Sequence, residues 1–138
     1  MATTLDDIRE EYEFLDDKFD RYELLIKIGR ELEPMPDALR TDTTLVRGCV
    51  SKVWTYPVQN ADGTLHFLAD SNSAITKGII ALLLMTVQDK HPQAVLDVDI
   101  EARLKPFEVE RHLSSNRLSG IPNMIALIRE TAARYADA

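Results

Sequence analysis

The stretch SKVWTYPVQNADGTLHFLADSNSAITKGIIALLLM, residues 51–85, carries the patterns that decide the fold. Residues 51–59 are rich in valine, tryptophan, threonine and tyrosine, which favour β-strands. Residues 60–63, Asn-Ala-Asp-Gly, are a turn signal. In residues 64–69 leucine, phenylalanine and alanine occupy every second position from Leu65, which is the period of a strand with two different faces. The stretch therefore predicts an antiparallel hairpin.

The rest of the stretch predicts a buried helix. Residues 70–73, Asp-Ser-Asn-Ser, are the types that cap helix N-termini. From residue 74 to about residue 88 apolar side chains lie nearly all round the helical wheel. A helix of this kind belongs in the core of a domain.

Further helices are predicted on both sides of this unit. Thr4 is the expected N-cap of a first helix with an apolar stripe, and a second helix ends before Pro34. A last helix is predicted over 121–135, whereas 97–107 shows no clear period.

The predicted elements define an α+β fold. A short strand at 43–46 is expected to pair with the hairpin, which gives a small antiparallel sheet of about three strands with helices packed on one face. The chain has 138 residues and no linker-like tract, so residues 1–138 are expected to form a single domain.

The composition excludes several classes of protein. A net charge of -7 argues against nucleic acid as the main partner, because phosphate binding needs clustered lysine and arginine. The longest apolar run, 78–85, is far too short to cross a bilayer, and 1–12 does not resemble a signal peptide. One cysteine cannot form an intramolecular disulfide, so a cytoplasmic protein is expected.

That cysteine, Cys49, is the first candidate for chemistry. Gly48 lets the backbone bend just before the thiol, and the cations of Arg47 and Lys52 would lower the thiol pKa and favour the reactive thiolate. A single cysteine is also commonly a small buried hydrophobe. The local residues leave both interpretations open.

Other polar residues suggest further candidates. His66, His91 and His112 lack metal-ligand spacing, so no metal site is expected. A contact of Cys49 with His66 or His112 would instead indicate a cysteine hydrolase. Arg117, in a polar turn-like segment, is either a solvated surface residue or a group that steadies an anion.

Four segments, taken in order along the chain, resemble the SufE family. The segment Gly48-Cys49 with Ser51, Val53 and Trp54 is similar to the family pattern Gly-Cys-Gln-Ser-Gln-Val-Trp. The other three are Arg21-Tyr22 with Leu25-Ile26 and Ile28-Gly29-Arg30; Asp70-Ser71 with Ala74-Ile75 and Lys77-Gly78; and Leu113-Ser114 with Arg117, Gly120 and Met124. The resemblance covers roughly residues 18 to 135, the body of one domain.

The resemblance implies a specific role. SufE proteins share an α+β fold with the NifU/IscU-type scaffolds, carry no cofactor and take sulfur as a cysteine persulfide from a pyridoxal-phosphate cysteine desulfurase of the SufS or CsdA kind. The sulfur then passes to an iron–sulfur scaffold complex. Cys49 matches the persulfide cysteine and Arg117 the family arginine, expected to stabilise the thiolate. Supporting positions are Arg47, Gly48, Ser51, Lys52, Asp70 and Lys77.

The chain departs from the family pattern at the cysteine. Val50 and Lys52 stand where the pattern has glutamines, and Ser115-Asn116 replaces Pro-Ser before the arginine. These changes leave the thiol in place but alter the charge and hydrogen bonding beside it. A cysteine hydrolase and a protein-binding adaptor remain as alternative functions. The subtype, SufE or CsdE, and a monomeric or homodimeric state stay open.

Overall fold

The fold is described from a computed structural model, which describes residues 4–46, 52–114 and 120–137. The helices and strands of these residues are α1 (Leu5–Phe14), α2 (Lys18–Arg30), β1 (Val53–Gln59), β2 (Leu65–Ser71), α3 (Ala74–Met85), α4 (Pro92–Asp97), α5 (Ile100–Leu104), α6 (Val109–His112) and α7 (Gly120–Ala136). Short 3-10 turns lie at Asp37–Leu39 and Lys105–Phe107. The α+β class is confirmed.

The predicted hairpin is confirmed, with β1 and β2 paired antiparallel from Val53↔Ser71 to Gln59↔Leu65. Gly63 lies in the turn between them with φ +88°, a left-handed conformation that favours glycine. On β2 alternate side chains from Leu65 to Ser71 are buried, and those between them are half-buried. Helices therefore cover one face of the sheet, as the alternation predicted.

The prediction of about three strands is wrong, because residues 43–46 make only a bridge to β1. The third-strand ladder continues no further because the Thr44 N–H, which would donate next to the Thr55 carbonyl, donates instead to the Thr41 carbonyl at 3.2 Å. Pro57, one pair further along β1, has no N–H to offer. The contacts that do form are Leu45 bridged to Trp54, the Val46 N–H donating to the Val53 carbonyl (2.7 Å), and the Thr55 N–H donating to the Thr44 carbonyl (2.9 Å).

Helix α3 is the buried central helix that the sequence predicts, although it ends at Met85. Nine of its twelve residues are buried, and the Ser73 hydroxyl caps its start. It packs against β2 on one side and against α2 on the other. Gly29 of α2 and Gly78 of α3 meet there: a Cβ on Gly29 would lie 2.7 Å from the Gly78 nitrogen, and one on Gly78 would overlap the Leu25 carbonyl.

The first helix begins at the predicted Thr4 cap, and the second ends before Pro34 as predicted. The Thr4 hydroxyl and the Asp7 carboxylate form a reciprocal capping box at α1, and Asp17 caps α2. The region without a clear period, 97–107, contains short helices broken by Pro106, too short for a period to show. No helix within the described ranges is long and apolar enough to cross a membrane.

The glycine contact predicts that Gly78→Ala destabilises the fold. The added methyl group overlaps backbone of α2, so the helices must separate, at a cost of about 2 kcal/mol in the free energy of unfolding. Urea denaturation measures this cost. Gly63→Ala is the comparison: its nearest neighbour would be the His91 ring at 3.7 Å, so it loses only about 1 kcal/mol through its positive φ. An unchanged midpoint in Gly78→Ala contradicts the close packing.

Candidate functional site

The site residues predicted from the sequence fall into two groups. Arg47, Gly48, Cys49 and Ser51, together with Arg117, lie outside the described residues. Lys52, Asp70 and Lys77 lie within them. The surroundings of the cysteine segment are therefore defined by the residues that bracket 47–51 and by their partners.

The two residues that bracket 47–51 are both tied to the same end of the hairpin. Val46 is buried and donates its N–H to the Val53 carbonyl at 2.7 Å. Lys52 donates its N–H to the Asn72 side-chain oxygen at 3.0 Å, and the Asn72 N–H returns a bond to the Lys52 carbonyl at 3.2 Å. These bonds fix the positions of Val46 and Lys52, the residues on either side of the cysteine segment, beside the start of β1 and the loop from β2 to α3.

Asp70, near the end of β2, is the centre of the ion pairs at this end. Its Oδ2 lies 3.2 Å from Arg40 Nη1, and its Oδ1 lies 3.5 Å from Lys77 Nζ and accepts the Ser71 N–H at 2.8 Å. Its side chain is only 20% exposed. At this depth, removing one partner leaves a charge that water compensates poorly. The structure thus brings together two of the predicted positions, Asp70 and Lys77.

Arg40 belongs to the same group, and the sequence analysis missed it. Its Nη1 donates to the Met35 carbonyl at 2.6 Å, and its guanidinium pairs with Asp37 as well as with Asp70. Arg40 thereby ties the loop after α2 to the end of β2. Its partner lies 30 positions away in sequence, and no periodic or motif signal links residues at that distance.

Hydroxyl groups fix the start of α3 next to Asp70. The Ser73 N–H donates to the Ser71 hydroxyl at 3.2 Å, and the Thr76 hydroxyl donates to the Ser73 hydroxyl at 3.1 Å. All three side chains are buried. A buried hydroxyl needs such partners, so the bonds set the direction in which the chain enters α3. Lys77 follows directly and faces Asp70.

His66 lies at the other end of the hairpin and is held by two carboxylates. Its Nε2 lies 2.7 Å from Glu33 and its Nδ1 2.9 Å from Asp89. Burial alone would lower the pKa of His66, but these two hydrogen bonds outweigh it and raise the pKa above its usual value. His66 pairs with Val58, five residues along β1 from the pair Val53↔Ser71 at the Lys52 end. The two ends of the hairpin are therefore about 17 Å apart along the strands.

His112, just before the Arg117 segment, lies in a mixed-charge cleft. The Tyr12 hydroxyl is 2.7 Å from His112 Nε2, and Glu108 pairs with Arg21 at 3.1 Å. Burial first, then Glu108, raises the pKa of Tyr12 to about 12. Burial lowers the pKa of His112. These contacts join α6 and the residue before it to α1 and α2. They lie close in sequence to residues 115–119.

The described residues hold no group of three histidine, cysteine, aspartate or glutamate side chains that could bind a metal ion. The His66 site shows why: each ring nitrogen is already engaged by a different carboxylate, and these carboxylates come from opposite sides of the ring. Its arrangement is that of a structural clamp between the loop after α2, β2 and the turn after α3.

The comparisons with known proteins agree with this architecture. Residues 6–132 match the SufE family, described as the Fe-S metabolism associated domain. An uncharacterized SufE-like protein of Rhizobium meliloti (strain 1021) is 34% identical over 133 residues, which is 94% of this chain and 95% of that relative. The solution structure of a hypothetical protein from Thermus thermophilus superposes with a TM-score of 0.74 at 17% identity, and the match covers 97% of this chain and 96% of that one.

These matches define the class of protein. The chain shares its fold with the Thermus thermophilus protein, and the SufE family model matches residues 6–132, nearly its whole length. It belongs to the SufE family, whose domain is associated with iron–sulfur metabolism and sulfur transfer.

The His66 clamp generates a prediction about pH. Because the folded-state pKa is raised, the clamp stabilises the fold fully below the unfolded-state pKa of about 6.5 and loses this effect as pH rises through the folded-state pKa. His66→Gln should therefore lower the free energy of unfolding by about 1 kcal/mol near pH 5.5 and by less near pH 8.5.

Urea denaturation of wild type and variant at both pH values measures the difference. His91→Gln, which replaces an exposed histidine in the loop before α4, is the comparison for the loss of a histidine outside the clamp. A gap between wild type and His66→Gln that widens with pH contradicts the clamp.

Proposed function

We propose that this protein is a sulfur acceptor that takes sulfane sulfur from a PLP-dependent cysteine desulfurase onto Cys49 and passes it on for iron–sulfur cluster assembly. The observation that carries the proposal is that the chain's one cysteine stands in the Gly-Cys segment of a SufE-family chain. The fixed positions of Val46 and Lys52 support it, because they place both ends of that segment beside a polar, charged edge of the fold.

The proposed step is a thiol exchange. The Cys49 thiolate attacks the outer sulfur of the desulfurase Cys–S–SH, a new S–S bond forms at Cys49, and the desulfurase cysteine leaves as its thiolate. Sulfane sulfur moves from one protein to the other, and no external oxidant or reductant is consumed. The rate depends on the thiolate fraction of Cys49 and on access to it.

Positive charge near the segment favours the thiolate in this proposal. Lys52 is exposed at its end, and Arg47 and Arg117 are the other cations assigned to it. Gly48 and Ser51 are supporting positions beside the thiol. Lysine at position 52, where the family pattern has glutamine, adds a charge that should lower the thiol pKa further.

Asp70, with its partners, has a different role. It fixes the start of α3 and the loop after α2 around the point where Lys52 is bound by Asn72. We assign Asp70, Lys77 and Arg40 as positioning residues. They hold the platform from which the segment is presented to the desulfurase.

The partners follow from the same proposal. A SufS- or CsdA-like desulfurase supplies the sulfur and an iron–sulfur scaffold complex receives it, in the cytoplasm, with residues 1–138 acting as one domain. The hydrolase alternative requires a histidine at Cys49. The carboxylates hold His66 about 17 Å along the strands from the Lys52 end, which disfavours that histidine as the base.

Intact-mass measurement tests the transfer. After incubation with a cognate desulfurase and cysteine, the wild-type protein should gain the mass of one sulfur atom, which a thiol reductant then removes. Cys49→Ser should gain none, because it lacks the thiol that forms the persulfide. An active desulfurase that leaves the wild-type mass unchanged contradicts the proposal and favours the adaptor alternative.

The positioning role predicts a slower transfer when Asp70 loses its charge. Asp70→Asn keeps an oxygen for the Ser71 N–H but loses the pairs with Arg40 and Lys77, so we expect persulfide formation to slow several-fold and stability to fall by about 1–3 kcal/mol. Asp137→Asn, an exposed change of equal charge, is the control. Equal rates of persulfide formation in the two variants would contradict the positioning role of Asp70.

A further inference from the structure

A cavity between the sheet and the last helix has features that the proposed sulfur transfer does not use. It has a volume of about 240 Å³ and opens at the edge of β1 beyond the bridge to residues 43–46. Its floor is apolar, formed by Phe67 of β2 with Leu127 and Ile128 of α7. Residues 43–46 pair with β1 only as far as Thr55, and the cavity lies under the part of that edge beyond the pairing.

A buried hydroxyl without a partner lines this cavity. Thr55 is 7% exposed, and its Oγ1 is inaccessible to water and makes no hydrogen bond within the described part of the chain. This threonine is on the helix-covered face of β1, opposite Ala69, so its side chain lies in the space between sheet and α7. A buried hydroxyl that is unsatisfied costs free energy. Because this Oγ1 is shielded from water, a rotation about the Thr55 Cα–Cβ bond is needed to turn the hydroxyl toward a ligand in the cavity.

Arg134 provides a charge at the mouth of the same cavity. Its guanidinium makes one long hydrogen bond, 3.4 Å from Nη2 to the Thr131 hydroxyl, and no carboxylate of the described residues lies within ion-pair distance. Most of its donors are therefore available. Arg134 is exposed, so its guanidinium can reach a ligand at the cavity mouth without breaking an ion pair.

We propose that this cavity binds a small organic anion: a carboxylate with a short apolar chain. The carboxylate would receive the guanidinium hydrogen bonds of Arg134 in the fork geometry that arginine offers. The Thr55 hydroxyl, once rotated toward the cavity, would donate to its second oxygen or to another polar atom of the ligand. The chain would lie on Phe67, Leu127 and Ile128. The apolar floor with few convergent polar groups is the usual constitution of a small-molecule site.

The volume and the single cation restrict the ligand. A cavity of about 240 Å³ takes a molecule of fewer than about ten heavy atoms, and the floor has no carboxylate to receive a ligand cation. The site should therefore prefer a monocarboxylate to the alcohol or the amine of equal chain length. Residues 43 and 44 at its rim lead directly to Val46, so an occupied cavity adjoins the strand-like segment that anchors the start of 47–51.

Titration of the full-length protein with hexanoate, followed by two-dimensional NMR, tests the site. We expect saturable shifts centred on Thr55, Leu127 and Thr131 with a dissociation constant of about 1 mM or tighter. Hexylamine and hexanol, at the same concentrations, should bind at least about tenfold more weakly. Shifts that do not saturate, or equal binding of hexylamine, would overturn the proposal.

Two variants separate the polar contacts. Arg134→Gln should weaken hexanoate about tenfold, whereas Arg30→Gln, an exposed arginine on α2 that changes the net charge equally, should not. Thr55→Val should weaken binding about fivefold and leave the thermal midpoint of the free protein unchanged or higher, because it removes an unsatisfied hydroxyl. If wild type and both cavity variants bind hexanoate with the same affinity, the proposed binding site is wrong.

Discussion

The contact of Gly29 with Gly78 is the constraint on which the rest of the structure depends. It lets the backbones of α2 and α3 touch, so that α3 is buried between α2 and the sheet. A side chain at either position would push the two helices apart. The residue before Gly78 is Lys77, which reaches Asp70 at the end of β2. Close helix packing and the geometry beside the cysteine segment therefore depend on the same pair of small residues.

The hairpin has a different polar cluster at each end and an apolar centre between them. At one end Asp70 joins two cations beside the bracketing residue Lys52, and at the other end His66 joins two carboxylates. The first cluster contains no histidine, whereas the second depends on the protonation of one. The stability of the hairpin thus varies with pH at the end remote from the proposed sulfur chemistry.

Within the described residues the sheet has two strands, and one of its edges is incompletely covered. The pairing with 43–46 ends where the Thr44 N–H turns back to Thr41, and Pro57 leaves that edge of β1 with one donor fewer, which disfavours pairing with another chain. The same interruption leaves the cavity under Thr55 open toward solvent. A feature that limits aggregation therefore also creates a space with an apolar floor, a buried hydroxyl and an arginine.

The sequence by itself determined the hairpin, the buried α3, the Thr4 cap and the family, because turn signals, strand alternation, capping residues and short motifs are local properties of the chain. Only the tertiary structure decided the partners of Asp70, the clamp on His66, the orphan hydroxyl of Thr55 and the loss of the third strand. Each of these depends on side chains or backbone groups from segments distant in sequence, and which of them meet is set by how the helices and the sheet pack together.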